Sequence, residues 1–185
     1  MSSTLRLLGI SGSLRRGSFS TAVLETLAAE IATTATTEFA DIGALPHYDQ
    51  DLDGAASPDA VVTLRRQIDA ADGLIVVSSE FNHGMPGVLK NAIDWASRPA
   101  FASPLKNKPV LIVTSSPAFT GGVRTQQQLR ETFASTLARP VLTPEVVIGQ
   151  VHTKIADGRL VDRASIDFAV TACRALFAEI ELLRR

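Results

Sequence analysis

Apolar positions recur along this chain in two rhythms, and the rhythms alternate. Leu5 to Ile10 is a short aliphatic run that reads as a strand. Ser20 to Thr33 follows, with Val23, Leu24, Leu27 and Ile31 on one helical face. Glu38 to Ile42 is a second strand candidate, and a polar loop with Pro46, Gly54 and Pro58 comes after it. Ala60 to Ala70 is helical, with Val61, Leu64 and Ile68 at i, i+3 and i+7. Gly73 to Val77 and Pro109 to Thr114 carry consecutive aliphatic residues, as strands covered on both faces do. The pattern predicts further helices over Gly87 to Ser97, Gly122 to Leu137 and Arg163 to Arg184. A last short strand is predicted over Val146 to Ile148.

Strands that alternate with helices, and that are aliphatic throughout, argue a parallel sheet with helices on both faces. Five such strands predict an α/β three-layer sandwich with the flavodoxin-like strand order 2-1-3-4-5. No internal repeat or low-complexity linker interrupts the pattern, so residues 1–185 read as a single domain. In such sheets ligands sit beyond the carboxyl ends of the strands, at the switch point between the first and third. That rule selects three loops: Ser11–Ser20, Ser78–Pro86 and Ser115–Gly122. All three are rich in glycine and hydroxyl residues.

Composition narrows the class. The chain is 45% hydrophobic and 20% charged, an ordinary globular balance. Its net charge of −1 offers no field for nucleic acid or an anionic membrane. No uninterrupted aliphatic run is longer than Leu74 to Val77, far too short to span a bilayer. The start MSSTLRLLGIS lacks the basic region and long apolar core of a signal peptide. Cys173 is the only cysteine and can form no internal disulfide, which suits a cytoplasmic location. It reads as a small buried residue rather than a catalytic thiol. His47, His83 and His152 lie far apart and show no metal-ligand spacing, so no metal is expected.

The first of the three loops lies in "GISGSLRRGSFST", Gly9 to Thr21. Three glycines, four serines and two arginines crowd between a strand and a helix. A helix N-terminus offers unpaired N–H groups and a positive dipole end, so it binds phosphate readily. Ser11, Ser13, Ser18 and Ser20 can add hydroxyls, and Arg15 a guanidinium fork. No GxxxxGK[ST] and no GxGxxG is present, which argues for one terminal phosphate rather than a di- or triphosphate. Serines that merely cap the helix are the competing reading. Capping alone would need neither two arginines nor three glycines.

The second stretch, "SSEFNHGMPGVLKNAIDWASRP", exposes Glu80, Phe81, Asn82 and His83 before a helix whose first turn Pro86 suits. A planar heteroaromatic ring can lie against such a loop, held mainly by backbone groups. The third, "SSPAFTGGVRTQ", can close the other side of the ring. Glu80 and Asp94 do not read as a general acid/base pair, and no Ser-His-Asp set stands out.

Together these three segments resemble the NADPH-dependent FMN reductase family, which includes quinone, chromate and azo-dye reductases. The resemblance covers nearly the whole chain. It implies that Ser13, Arg15, Ser18 and Ser20 hold the FMN phosphate, with the N–H groups of Leu14 and Phe19 nearby. It implies that Ser79, Glu80, Phe81 and Asn82 line the flavin ring and that Ser115 and Ser116 approach its far edge. The family usually carries Asn where this chain has Ser20, and Pro-Glu-Tyr-Asn where it has Ser79 to Asn82.

The implied reaction is hydride transfer from NADPH, or NADH, to flavin N5. Electrons then pass to a small-molecule acceptor such as a quinone, azo compound or metal oxyanion. The cofactor supplies that chemistry, which is consistent with the lack of a protein catalytic cluster. Arg15 or Arg16 is also a candidate for the 2′-phosphate of NADPH. Two alternatives stay open: a reductase that releases reduced FMN to a partner monooxygenase, and a flavodoxin-type electron carrier. Such carriers are strongly acidic, unlike this chain. A receiver domain of the same strand order would need acidic residues after the first and third strands. This chain has Ser11-Gly12 and Ser78-Ser79 there. The resemblance also implies a homodimer or homotetramer, with the apolar stretch Trp95 to Phe101 as a candidate interface that could equally pack within the chain.

Overall fold

In the computed structural model, which describes residues 4–184, the alternation becomes one twisted parallel sheet between two helical layers. Strand β1 (Leu5–Ser11) leads into helix α1 (Phe19–Glu30) and then β2 (Ala35–Phe39). Helix α2 (Asp59–Ala70), β3 (Gly73–Ser78), α3 (Gly87–Ala96), β4 (Pro109–Ser115) and α4 (Val123–Ser135) continue the series. Two short strands, β5 (Arg139–Pro140) and β6 (Val146–Ile148), follow. A small hairpin of β7 (Ile155–Ala156) and β8 (Arg159–Leu160) precedes the closing helix α5 (Arg163–Leu183). The sheet runs β2-β1-β3-β4-β5, the order the sequence predicts.

Alternate residues of the central strands enter opposite cores. Leu7, Ile75, Val77, Leu111 and Val113 pack under α1 and α5. Leu8, Ile10, Leu74, Val76, Val110 and Ile112 pack under α2, α3 and α4. Every residue of β3 and β4 is buried, which is why both strands read as unbroken aliphatic runs.

Two boundaries differ from the sequence pattern. The second strand is Ala35–Phe39, three residues upstream of the predicted Glu38–Ile42. Ile42 is drawn instead into a 3₁₀ turn, Ile42–Ala44, in which the Asp41 carboxylate accepts from Gly43 N at 3.0 Å. The fifth position is shared by β5 and β6, both parallel to β4, so the sheet has six strands in five places. Between them the buried Gln126 side chain donates to Ile112 O at 3.1 Å and Val146 O at 2.9 Å.

Trp95 belongs to the core rather than to a surface. It is fully buried, stacks edge-on against Tyr48 at 4.9 Å and donates its indole N–H to Pro46 O at 2.8 Å. Of the Trp95–Phe101 stretch, Phe101 is the large apolar residue left exposed. No helix among the described residues is long and apolar enough to cross a membrane.

Candidate active site

The register of the parallel strands brings three loops to one end of the sheet. Ser11 pairs with Val77, and Ser78 pairs with Thr114, so β1, β3 and β4 finish side by side. A cleft of about 350 Å³ opens there. That is the size range of small-molecule sites. Its walls are Ser13, Arg15, Ser18, Phe19 and Ser20 from the first loop, and Ser79, Glu80 and Phe81 from the second. Ser115, Ser116 and Pro117 come from the third. Pro117 is the one lining residue not picked out from sequence.

The first loop is tight for a stated reason. Gly12 N donates to Val77 O at 2.8 Å, and a Cβ on Gly12 would stand 3.0 Å from Ser78 Oγ and 3.3 Å from Ser78 Cα. Ser18 then caps α1, accepting from Thr21 N at 3.2 Å. That satisfies one N–H of the first turn, while those of Phe19 and Ser20 have no partner within the helix. Capping and anion binding thus coexist at this helix end. Ser20 Oγ and Ser115 Oγ lie 3.4 Å apart and tie the first loop to the third. The Arg15 guanidinium rests 4.7 Å from the centre of the Phe19 ring.

Three residues expected near the cofactor stand outside the cleft lining. Ser11 Oγ is engaged with Thr21 Oγ1 at 2.8 Å. The Leu14 side chain packs over Gly43, where an added Cβ would meet it at 3.0 Å. Asn82 and His83 form the tip of a two-residue hairpin, with φ of 50° and 68°. Phe81 and Gly84 close that hairpin with reciprocal N–H to carbonyl bonds of 2.9 Å.

Glu80 lines the cleft, but its carboxylate is turned to α4. Oε2 accepts from Arg124 N at 3.0 Å and Thr125 N at 3.2 Å. The N-cap residue of α4 is Gly122, at φ 91°, which brings no side chain of its own. Arg124 Nη1 lies 2.8 Å from His83 Nδ1, an acceptor toward that guanidinium. His83 and Arg124 therefore brace the second loop against α4. The sequence pattern assigns no role to His83 or to Arg124. A helix opening on Gly-Gly with no capping side chain was the available signal.

In the third loop Ser116 N donates to Ile148 O at 3.1 Å, and Gln150 N donates to Ala118 O at 3.1 Å. Gly121 is at φ 61°, and a Cβ there would stand 2.8 Å from Gly149 N. Only glycine suits that approach. Cys173 is not among the residues that line the cleft, and burial pushes its thiol up to about 12.

The profile of the NADPH-dependent FMN reductase family matches residues 5–153. The chain belongs to that family. It is 39% identical to an NAD(P)H-dependent FMN reductase of Pseudomonas aeruginosa over 185 residues, all of both chains. It is also 39% identical to a quinone reductase of Escherichia coli over 174 residues, 90% of each. Among solved structures, the flavoenzyme NAD(P)H:(acceptor) oxidoreductase FerB of Paracoccus denitrificans superposes with a TM-score of 0.86 at 27% identity. That match covers 96% of this chain and 98% of FerB. As a member of this family the protein is an NAD(P)H-dependent flavin oxidoreductase, with FMN as its cofactor.

The cleft's own features fit that group. One end is positive, with a helix N-terminus beside a guanidinium, as a phosphate monoester requires. Along the wall, the Ser79 hydroxyl is buried without a hydrogen-bond partner among the described residues. A ring system with polar edges answers that vacancy in its bonding.

Proposed function

We propose that the protein carries electrons from NAD(P)H to a quinone, with FMN seated in the cleft between the three loops. One observation carries the reading: β1, β3 and β4 bring an anion-ready helix end and two hydroxyl-lined loops into a single cleft. The family's relatives support the acceptor class, since one of them is a quinone reductase. When bound, FMN supplies hydride acceptance from the nicotinamide and two-electron delivery to the acceptor.

The chain's own residues bind and orient. Ser13, Arg15, Ser18 and Ser20 take the phosphate, with the N–H groups of Phe19 and Ser20 adding dipoles at the helix end. Main-chain groups from Ser79 to Phe81 and from Ser115 to Ser116 flank the ring, and Ser79 Oγ meets its polar edge. Glu80 acts at one remove, by pinning its loop to α4. Phe81 stands 62% exposed at the cleft and presents an apolar face to an incoming flat acceptor. The protein works as one flavin-binding unit in the cytoplasm, as a homo-oligomer.

The visible spectrum tests this. Protein loaded with FMN and desalted should retain flavin bands near 370 and 450 nm, and anaerobic NADPH should bleach them. Adding a benzoquinone should restore them. A colourless protein that consumes NADPH only with FMN supplied would favour the flavin-releasing reductase. No retention and no turnover would sink the assignment.

A further inference from the structure

Arg15 is a cation with no carboxylate partner among the described residues. Its side chain turns back over Gly17, where an added Cβ would stand 3.9 Å from Arg15 Nη1, and reaches the first residue of α1. That is the positive end of the helix dipole, a place that repels a guanidinium. Arg65 meets Asp53 at 2.8 Å, Arg139 meets Glu179 at 2.7 Å and Arg184 meets Asp72 at 2.9 Å, while Arg15 shares its unpaired state with arginines such as Arg16 and Arg66 and differs from those two in standing at a helix N-terminus inside the cleft. What Arg15 meets is the face of Phe19, 4.7 Å from the ring centre. Phe19 is in turn packed against the core under α1 and α5, so the ring is a fixed shelf rather than a loose flap.

We propose that Phe19 is a positioning residue, whose ring holds the Arg15 guanidinium at the helix end in the pose that receives the FMN phosphate. The proposal rests on the FMN assignment above. The ring covers one side of the guanidinium, and the N–H groups directed away from it stay available to phosphate oxygens. An unsupported arginine at an exposed loop samples many rotamers, and binding must then freeze them. The shelf removes part of that loss before the ligand arrives.

Riboflavin separates this role from a structural one, because it offers the same ring without the phosphate. The full-length protein is stripped of flavin and titrated with FMN and with riboflavin, following flavin fluorescence. Phe19→Leu should weaken FMN about two- to five-fold, the value of an exposed cation–π contact, and leave riboflavin unchanged. Phe19→Trp should restore FMN binding. In an Arg15→Ala background, Phe19→Leu should cost nothing further. Equal weakening of both flavins, or an unchanged Phe19→Leu effect without Arg15, would overturn the proposal and leave the cofactor assignment standing. Failure of the unaltered chain to bind FMN at all would overturn the assignment itself. A thermal melt of each variant checks that the fold is retained.

Discussion

Glu80 and Arg124 meet across the rim of the cleft, with the Glu80 carboxylate accepting the Arg124 main-chain N–H at 3.0 Å. The same oxygen accepts from Thr125 N, so a residue of the β3–α3 loop caps a helix 44 positions along the chain. Losing a capping side chain costs about 0.5–2 kcal/mol. Glu80→Ala is therefore expected to lower stability by about 1 kcal/mol and also to loosen FMN, because the cleft wall loses its anchor. Denaturant unfolding and an FMN titration on one preparation check both. A variant that loses stability but binds FMN normally would detach the cap from the site.

Gly12 is the tightest point of the first loop. A methyl group there meets Ser78 Cα at 3.3 Å and Leu89 Cδ2 at 3.2 Å, and neither the strand nor the core residue has room to retreat. Overpacking of this kind costs about 1–3 kcal/mol. Gly12→Ala should destabilise by that amount and displace the loop that carries Ser13 and Arg15, weakening FMN more than riboflavin. Wild-type stability in the variant would refute the packing argument.

Much of this architecture was legible in the hydrophobic pattern because β3 and β4 are covered on both faces. Burial leaves them no alternative to aliphatic runs, and their loops follow by topology. The second strand was less legible. In Ala35–Phe39 only Ala35 is buried, and an edge strand of Thr36, Thr37 and Glu38 carries little apolar signal. The division of the fifth strand was not legible at all. It depends on Gln126, whose side chain supplies donors to Ile112 O and Val146 O where the ladder is broken. Nothing in the sequence marks one of three consecutive glutamines as the buried one. Likewise the site's hydroxyls and glycines were visible by type and position. The Glu80 cap was not, since it joins residues whose distance is set only by the folded sheet.

Gln126 accordingly should not tolerate an apolar replacement. Gln126→Leu keeps the approximate volume but strands two buried carbonyls, each costing about 1–3 kcal/mol. A loss of at least about 2 kcal/mol in urea unfolding is expected, whereas the neighbouring exposed Gln127→Leu should change little. Equal stabilities of the two variants would contradict the bridging role.

Cys173 should be chemically silent. It is fully buried, and that burial pushes the thiol up to about 12, so no thiolate forms near neutrality. Iodoacetamide should label the native protein only as fast as it unfolds, and Cys173→Ala should retain quinone turnover. Rapid labelling of folded protein, or loss of turnover without loss of stability, would point to a thiol step.

Acid stability should report on Asp72, at the opposite end of the sheet. Burial pushes its carboxyl upward, but the Arg6 N–H at 2.7 Å and the Arg184 guanidinium at 2.9 Å outweigh that and hold it below its ordinary range. A carboxyl lowered in the native state binds its proton more weakly there than in the unfolded chain, whose aspartates titrate at about 3.9. Its stabilisation is therefore complete well above pH 4 and fades as pH falls through the lowered native value. Asp72→Asn removes this dependence. Unfolding free energies from pH 6 to pH 2.5 should fall less steeply for the variant than for the parent, and the two curves should converge at the acid end. Parallel curves across that range would show that Asp72 titrates alike in both states and that the Arg6 and Arg184 contacts contribute nothing to it.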